Sequence, residues 1–172
     1  MTSSAAEQHP SGKRLFTRVE ALSELVGAHP HVLETIFRAG RAADPAELGA
    51  APRGRLLAIA PGSELFLAAR FVVRGLAGDH FPWRGKVFDH GGNSGQNVVF
   101  GQRLFRFRAE VLPSAIDGDP ALALDYGGAP GNLWPVRVLR DELRTVGQGV
   151  AIGPALLSGR VILWFGLERE RA

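Results

Sequence analysis

Apolar and polar residues alternate strictly from residue 105 to residue 111. Phe105, Phe107, Ala109 and Val111 fall on one side of this segment, and arginine and glutamate side chains fall on the other. A period of two is typical of a β-strand with one face in the core and one face in solvent. The pattern therefore predicts a half-buried strand whose phenylalanines point inward.

Six other segments have the length and composition of short strands. In the segment 121–126, Leu122 and Leu124 share a face. Turn residues separate this segment from the strand of residues 105–111, which indicates an antiparallel hairpin. The segments are residues 55–60, 84–89, 121–126, 136–143, 149–156 and 160–167, and the glycine-rich stretch 90–97 is predicted to be a loop or a hairpin turn. Seven or eight strands in meander order favour a small, mostly closed antiparallel β-barrel, because closure removes unpaired strand edges.

Helical patterns come mainly before the first strand. Residues 17–26 and 30–40 each carry an apolar stripe at helical spacing. Pro30 suits the first turn of the second helix, and Gly40 suits a left-handed C-terminal cap. Asp44 begins a capping box that predicts one further helical turn.

The predicted fold class is α+β, a lipocalin-like or calycin-like barrel with N-terminal helices and one helix between the first two strands. That last helix is predicted over residues 63–73, where apolar residues cover most of the circumference. Residues 1–13 are expected to be a disordered tail, residues 14–50 a helical segment packed on the barrel, and residues 51–172 the barrel, within one structural domain.

A barrel of about eight strands can enclose one small ligand or be filled by its own side chains. Both alternatives stay open at this stage. The candidate ligand-binding residues are mostly large and apolar, and they come from several predicted strands. They are Trp83, Phe105, Phe107, Leu122, Leu124, Ile162 and Trp164.

Composition excludes several kinds of chemistry. The chain has no cysteine, so disulfides, thiolate metal sites and thiol nucleophiles are ruled out. The formal net charge is only +3 and the basic residues are scattered, so we expect no nucleic-acid partner. The longest uncharged stretch, 145–159, is interrupted by glycine and proline, and the polar N-terminus does not read as a signal peptide. We therefore expect no membrane span and a cytoplasmic location.

Three segments carry a family resemblance. They resemble segments of the GXWXG-domain proteins, a group of uncharacterised, lipocalin-like bacterial proteins. The three are the run from Trp83 to Phe88, the charged segment 138–146 followed by 150–153, and the closing segment 163–169. The namesake tryptophan is missing, because residues 49–54 read Gly-Ala-Ala-Pro-Arg-Gly. The resemblance implies a calycin-type barrel and a small hydrophobic ligand.

Histidine and carboxylate residues near Trp83 suggest a second function. His80, Asp89 and His90 supply the groups used most often in acid–base catalysis and in metal or haem ligation. Their spacing matches no known ligand motif, and exposed or structural roles are the alternative. Ser94 lacks the Gly-x-Ser-x-Gly elbow of a serine hydrolase, and no phosphate-loop lysine follows the neighbouring glycines.

A charged run lies in the strand predicted over residues 136–143. Arg140, Asp141 and Arg144 could form ion pairs on an exposed surface, which contribute little stability. Alternatively, one of them could face into the barrel, where an arginine would bind a ligand carboxylate through two hydrogen bonds. We therefore include Arg140 among the candidate ligand-binding residues.

The sequence is compatible with three different functions. The first is non-catalytic binding of a small hydrophobic or amphipathic ligand, such as a fatty acid or another lipid-like metabolite, without a cofactor. The second is an enzyme or a haem-binding protein that uses His80, Asp89 or His90 in the same cavity. The third is an accessory interaction protein with a filled core. The sequence does not indicate an oligomeric state.

Overall fold

The structure is a computed structural model that describes residues 19–61 and 82–170. In chain order, its strands are β1 (Arg41–Ala42), β2 (Arg53–Ile59), β3 (Trp83–Phe88), β4 (Ser94–Val99), β5 (Gln102–Pro113), β6 (Pro120–Asp125), β7 (Leu139–Gly147), β8 (Val150–Leu157) and β9 (Arg160–Glu168). The α-helices are α1 (Pro30–Ala39) and α2 (Pro45–Leu48), and the 3-10 turns are Leu22–Glu24 and Val136–Val138.

Strands β2 to β9 form a closed antiparallel barrel. Each strand pairs with the next one along the chain, and β2 pairs with β9 to complete the ring. The short strand β1 pairs with β7 beyond the end of β6. The predicted small antiparallel barrel is therefore confirmed.

The barrel has two distinguishable ends. At one end β4 turns into β5 and β8 turns into β9, and we call this the cavity end. At the other end β3 is connected to β4 and β7 to β8. Leu48 of α2 packs into the interior cluster of the barrel. Side chains therefore fill much of the interior, and the unfilled space lies nearer the cavity end.

Apolar side chains cover both faces of part of the barrel wall. The inner face carries the main core, which includes Phe107, Leu124 and Leu143. A second core forms outside the barrel, where Phe37 of α1 packs edge-on against Trp164 of β9 with ring centroids 5.7 Å apart. The N-terminal segment is thus attached to the outer face of the barrel by its own hydrophobic cluster.

The two predicted helix caps had different outcomes. Asp44 caps α2 as predicted, because its carboxylate accepts a hydrogen bond from the Ala46 amide. Gly40 ends α1 with φ −76°, so the predicted left-handed cap is wrong. A side chain at that position would instead lie 2.9 Å from Arg144 Cβ. Residues 17–26 contain only the short turn Leu22–Glu24 within their described part.

The predicted loop over residues 90–97 is only partly correct. Residues 94–97 begin strand β4, which pairs with β3 and β5 despite its serine, glycine and asparagine residues. Gly95 explains the composition, since a Cβ there would meet the Val87 carbonyl and the Phe107 ring. Close approach of neighbouring strands therefore requires the glycine that looked like a loop signal.

Other predictions differ in extent or cannot be compared. The strand predicted over residues 136–143 starts late, because the first three residues form a 3-10 turn. The helix predicted over residues 63–73 and the tail predicted over residues 1–13 lie outside the described residues. Within the described ranges, no helix combines the length and apolar character needed to cross a membrane.

Candidate functional site

An apolar cavity of about 230 Å³ lies inside the barrel. Its walls come from seven of the eight barrel strands, all but β6, and from the connection between β6 and β7. Most of the surface is hydrocarbon, with a small polar region in the interior. The lining residues are Leu56, Trp83, Lys86, Asn97, Val99, Phe105, Tyr126, Val136, Leu139, Asp141, Ala155, Leu163 and Phe165.

Four polar side chains, Lys86, Asn97, Tyr126 and Asp141, form what we call the polar floor of this cavity. Each reaches the interior through the alternation of its own strand or strand end. Lys86 shares the inward face of β3 with Phe88, and Tyr126 continues the inward series of Leu122 and Leu124 in β6. The sheet therefore places these polar groups where apolar residues are usual.

The ammonium group of Lys86 is surrounded by hydrogen-bond acceptors. Its Nζ donates to Asn97 Oδ1 at 2.8 Å, to the Tyr126 hydroxyl at 2.7 Å and to Asp141 Oδ2 at 2.8 Å. A lysine has three N–H donors, so these bonds use all of its capacity. The contact with Asp141 is a buried ion pair between side chains that are 1% and 9% exposed.

Tyr126 and Asn97 complete the network. The Tyr126 hydroxyl donates to Asp141 Oδ2 at 2.7 Å and accepts from Asn97 Nδ2 at 2.9 Å. Asn97 also accepts from Trp83 Nε1 at 2.9 Å and donates to the Phe105 carbonyl at 3.2 Å. Phe105 lies at an irregularity in the β4–β5 pairing with φ +53°, a conformation found at bulges. The bulge thus supplies one acceptor of the network.

Aromatic rings enclose the lysine. Its Nζ lies 5.1 Å to 5.6 Å from the ring centroids of Phe107, Phe165, Tyr126 and Trp83. Cations at such distances are attracted by the negative ring faces, more strongly when water is excluded. The rings therefore replace part of the hydration that the ammonium group loses.

Burial changes the acid–base properties of two floor residues. Desolvation lowers the pKa of Lys86, and the attraction of Asp141 opposes that shift. Burial raises the pKa of Tyr126 well above its ordinary value, and the negative charge of Asp141 raises it further. Tyr126 is therefore a neutral phenol at physiological pH, and its hydroxyl donates a hydrogen bond to Asp141.

The buried lysine is poorly placed for covalent chemistry. The Lys86 side chain is 1% exposed and its nitrogen already donates three hydrogen bonds. A nucleophilic amine needs an accessible lone pair. The lysine is therefore a structural part of the cavity and is not presented to a ligand.

Trp83 and Phe105 line the cavity, among the residues singled out from sequence. Phe107, Leu122 and Leu124 are buried in the interior core, and Ile162 packs against that core. All six residues lie inside or beside the barrel interior, but of these only Trp83 and Phe105 line the cavity.

Trp164 and Arg140 do not line the cavity, contrary to prediction. Trp164 belongs to the outer core, and Arg140 pairs with Glu142 at 3.0 Å and donates to the Pro113 carbonyl at 2.8 Å. Residues 140, 142 and 144 alternate with the inward residues of β7, so Arg140 and Arg144 point away from the interior. Of the three charged residues considered as ligand contacts, Asp141 is the one that faces the cavity.

Sequence reasoning did not identify Lys86, Asn97 and Tyr126 as functional. Asn97 was placed in a loop, and Lys86 entered only through the family resemblance. A usable signal existed in the strand pattern: Lys86 and Phe88 share one face, and Asp141 lies between Leu139 and Leu143. Opposite charges on the inward faces of two strands predict a buried pair.

The histidine hypothesis is not supported by the positions of its residues. His80 lies outside the described residues, while Asp89 and His90 are exposed in the β3–β4 connection. Asp89 accepts a hydrogen bond from the Ser94 hydroxyl at 2.6 Å. Neither residue lines the barrel cavity, contrary to that hypothesis. Residues 19–61 and 82–170 contain no group of three or more histidine, cysteine or carboxylate residues arranged to hold a metal ion.

Comparison with known proteins supports the fold. No family model matches the sequence, and no curated protein matches it. Among solved structures, the crystal structure of a protein from Thermomonospora curvata is similar, with a TM-score of 0.56 and 16% sequence identity. The alignment covers 87% of this chain and 93% of that chain. At this level of identity the likeness concerns the fold alone, so the barrel architecture is the property the two proteins share.

Proposed function

We propose that this protein binds one small, largely apolar molecule in the barrel cavity without transforming it chemically. The main support is the cavity itself, which has a volume of about 230 Å³ and mostly hydrocarbon walls above the polar floor. Closed eight-stranded barrels have room for one small ligand. A cavity of this kind favours ligand binding over the alternative of a completely filled core.

The size of the cavity limits the ligand. Apolar cavities of about 150 Å³ are large enough for benzene, and pockets for drug-sized ligands usually exceed about 300 Å³. The observed 230 Å³ lies between these values. A molecule with one ring or a short chain fits this range, whereas a complete long-chain fatty acid is too large for the cavity.

Exposed apolar residues near the cavity end are consistent with such a ligand. Phe100, in the β4–β5 turn, is 76% exposed, and Leu133 and Trp134, in the β6–β7 connection, are 79% and 80% exposed. All three lie in connections at the cavity end, where exposed apolar residues are candidates for the route by which a ligand enters.

A relation to the GXWXG-domain proteins is part of the proposal. It is supported by the position of the resembling segments: residues 83–88 form β3, and most of residues 163–169 belong to β9. Both strands contribute to the cavity wall. The absence of the namesake tryptophan at residues 49–54 remains a departure from that family.

A non-polar probe tests the proposal. We expect toluene to bind the full chain with a saturable signal in ligand-observed NMR. Ala155 lines the cavity, so Ala155→Phe should fill it and weaken toluene binding by more than about tenfold. Ala39→Phe, which adds the same volume on the exposed end of α1, is the matched control and should bind normally.

The outcome is decided by comparing the two variants, each first confirmed to be folded by circular dichroism. Equal toluene binding by wild type and Ala155→Phe would place the probe elsewhere and reject the cavity as the binding site. Absence of any saturable toluene signal from the wild type would also reject the proposed function.

A further inference from the structure

The hydrogen bonds within the polar floor leave one specific position for a ligand. Lys86 uses all three of its donors, and Asn97 uses both amide hydrogens and accepts twice at its oxygen. The Tyr126 hydroxyl donates once and accepts twice. These three side chains therefore have no remaining capacity toward the cavity.

Asp141 differs from the other floor residues. Its Oδ2 accepts from both Lys86 and Tyr126, whereas Oδ1 accepts no hydrogen bond from the described residues. The side chain is 9% exposed and lines the cavity. A carboxylate oxygen that lacks a protein donor and faces a mostly apolar cavity is a strong hydrogen-bond acceptor for a ligand. A ligand that donates to this oxygen would supply the missing partner.

The charges of the floor restrict the ligand further. Lys86 and Asp141 lie 2.8 Å apart and neutralise each other. A ligand carboxylate would face the Asp141 oxygen, and the outward Arg140 is not available to bind it. A ligand ammonium group would add a second positive charge beside Lys86. Either ion would be buried without a counter-charge, which is strongly unfavourable.

We infer that the ligand is a neutral, mostly apolar molecule whose hydroxyl or N–H group donates a hydrogen bond to Asp141 Oδ1. This inference rests on the proposed function, because it requires that the cavity binds a ligand at all. It also changes the expected class of ligand: the fatty acid considered from the sequence has the wrong charge for this floor.

Four probes with one phenyl ring test the inference on the unmodified protein. 2-Phenylethanol and benzyl methyl ether are isomers, and only the alcohol can donate a hydrogen bond. Phenylacetate and phenethylammonium carry a negative and a positive charge on a similar skeleton. We expect 2-phenylethanol to bind at least about tenfold more tightly than the ether, the usual effect of one hydrogen bond to a charged group. Both ions should bind more weakly than the alcohol in calorimetric titrations near neutral pH.

The results separate this inference from the proposed function. Equal affinities for the alcohol and the ether, or tighter binding of either ion than of the alcohol, would overturn the inference. The proposed function would still stand if toluene binds in the cavity. If toluene and all four probes fail to bind, both fall together.

A variant tests whether Asp141 is the acceptor. In Asp141→Asn, Lys86 and Tyr126 both need an acceptor, so the amide oxygen should turn to them and the amide N–H₂ toward the cavity. The preference for alcohol over ether should then disappear or reverse. Asp89→Asn, which changes an exposed residue outside the cavity, is the matched control and should keep the wild-type preference. Full retention of the preference in a folded Asp141→Asn variant would show that another atom accepts the hydrogen bond.

Discussion

At the scale of single residues, Lys86 shows how a charge is accommodated inside a small barrel. Its ammonium group has lost its hydration, and three acceptors and four aromatic rings replace that hydration. A buried ion pair of this kind contributes little net stability, because desolvation of both charges offsets their attraction. The pair with Asp141 is better understood as a device that fixes polarity and geometry at one point of an apolar cavity.

Tyr126 provides a direct test of the floor, since it is the only tyrosine in the chain. Burial and Asp141 raise the pKa of its phenol, so the near-ultraviolet phenolate absorbance of the folded protein should appear well above pH 10, the ordinary value being about 10. In urea-unfolded protein the same absorbance should appear near pH 10. Phenolate formation at the ordinary pH in the folded protein would contradict the buried floor.

The same shift sets a sign for stability. Above a pH of about 10 the unfolded chain loses the phenol proton that the folded chain retains, so the Tyr126 contribution to the free energy of unfolding falls as pH rises. Lys86 contributes the opposite slope below its ordinary pKa, because the unfolded chain then binds the extra proton. Tyr126→Phe removes the phenol, so the fall in the free energy of unfolding above pH 10, measured by urea denaturation, should be smaller in that variant than in wild type.

At the scale of elements, one face of β7 lines the barrel interior and the other face holds neighbouring segments against the barrel. Leu139, Asp141 and Leu143 face the interior, while Arg144 faces outward and binds both carboxylate oxygens of Asp117 at 2.6 Å and 2.7 Å. Arg144 also donates to the Asp119 and Pro120 carbonyls, and its guanidinium carbon lies 4.4 Å from the Phe37 ring centroid. One buried arginine therefore ties the β5–β6 connection and α1 to the barrel.

Arg144→Lys should destabilise the protein substantially. Lysine keeps the charge but cannot form the bidentate contact or reach the same set of carbonyls. We expect the free energy of unfolding to fall by about 2–3 kcal/mol in urea denaturation. Arg41→Lys is the control because the Arg41–Glu47 pair is exposed, and its effect should stay below about 1 kcal/mol. Equal effects of the two substitutions would contradict the role assigned to Arg144.

At the scale of the whole molecule, closure of the barrel depends on close contact between neighbouring strands. Gly153 of β8 lies against β7, and a Cβ at that position would meet the Glu142 carbonyl oxygen. Backbone atoms cannot move aside as a flexible side chain can, so a larger residue has to push the two strands apart. The glycine thus maintains the wall that encloses the cavity.

Gly153→Ala should therefore lower the free energy of unfolding by more than about 2 kcal/mol, in the upper range for overpacking. Gly91→Ala is the control, because the nearest atom to its Cβ would be the Asn93 side-chain nitrogen at 3.5 Å. Chemical denaturation of both variants measures the difference. A Gly153→Ala protein as stable as wild type would show that β7 and β8 do not approach this closely.

The sequence by itself determined the features that depend on neighbours along the chain. Period-two alternation identified the strand of residues 105–111, Asp44 identified a helix cap, and the series of short strands with short turns identified a closed barrel. Trp83 and Phe105, chosen from the sequence as candidate ligand contacts, line the cavity. Each of these signals is local, because strand periodicity, capping and turn chemistry act within a few residues.

Only the tertiary structure decided which side chains meet. Lys86 reaches Asn97, Tyr126 and Asp141 across 11, 40 and 55 residues of sequence, and those contacts depend on strand register and barrel closure. Trp164 could not be assigned to one side, because the helical segment covers the outer wall and makes both faces of β9 apolar. Periodicity finds the two faces of a strand, but the side on which the sheet closes determines which face becomes the cavity.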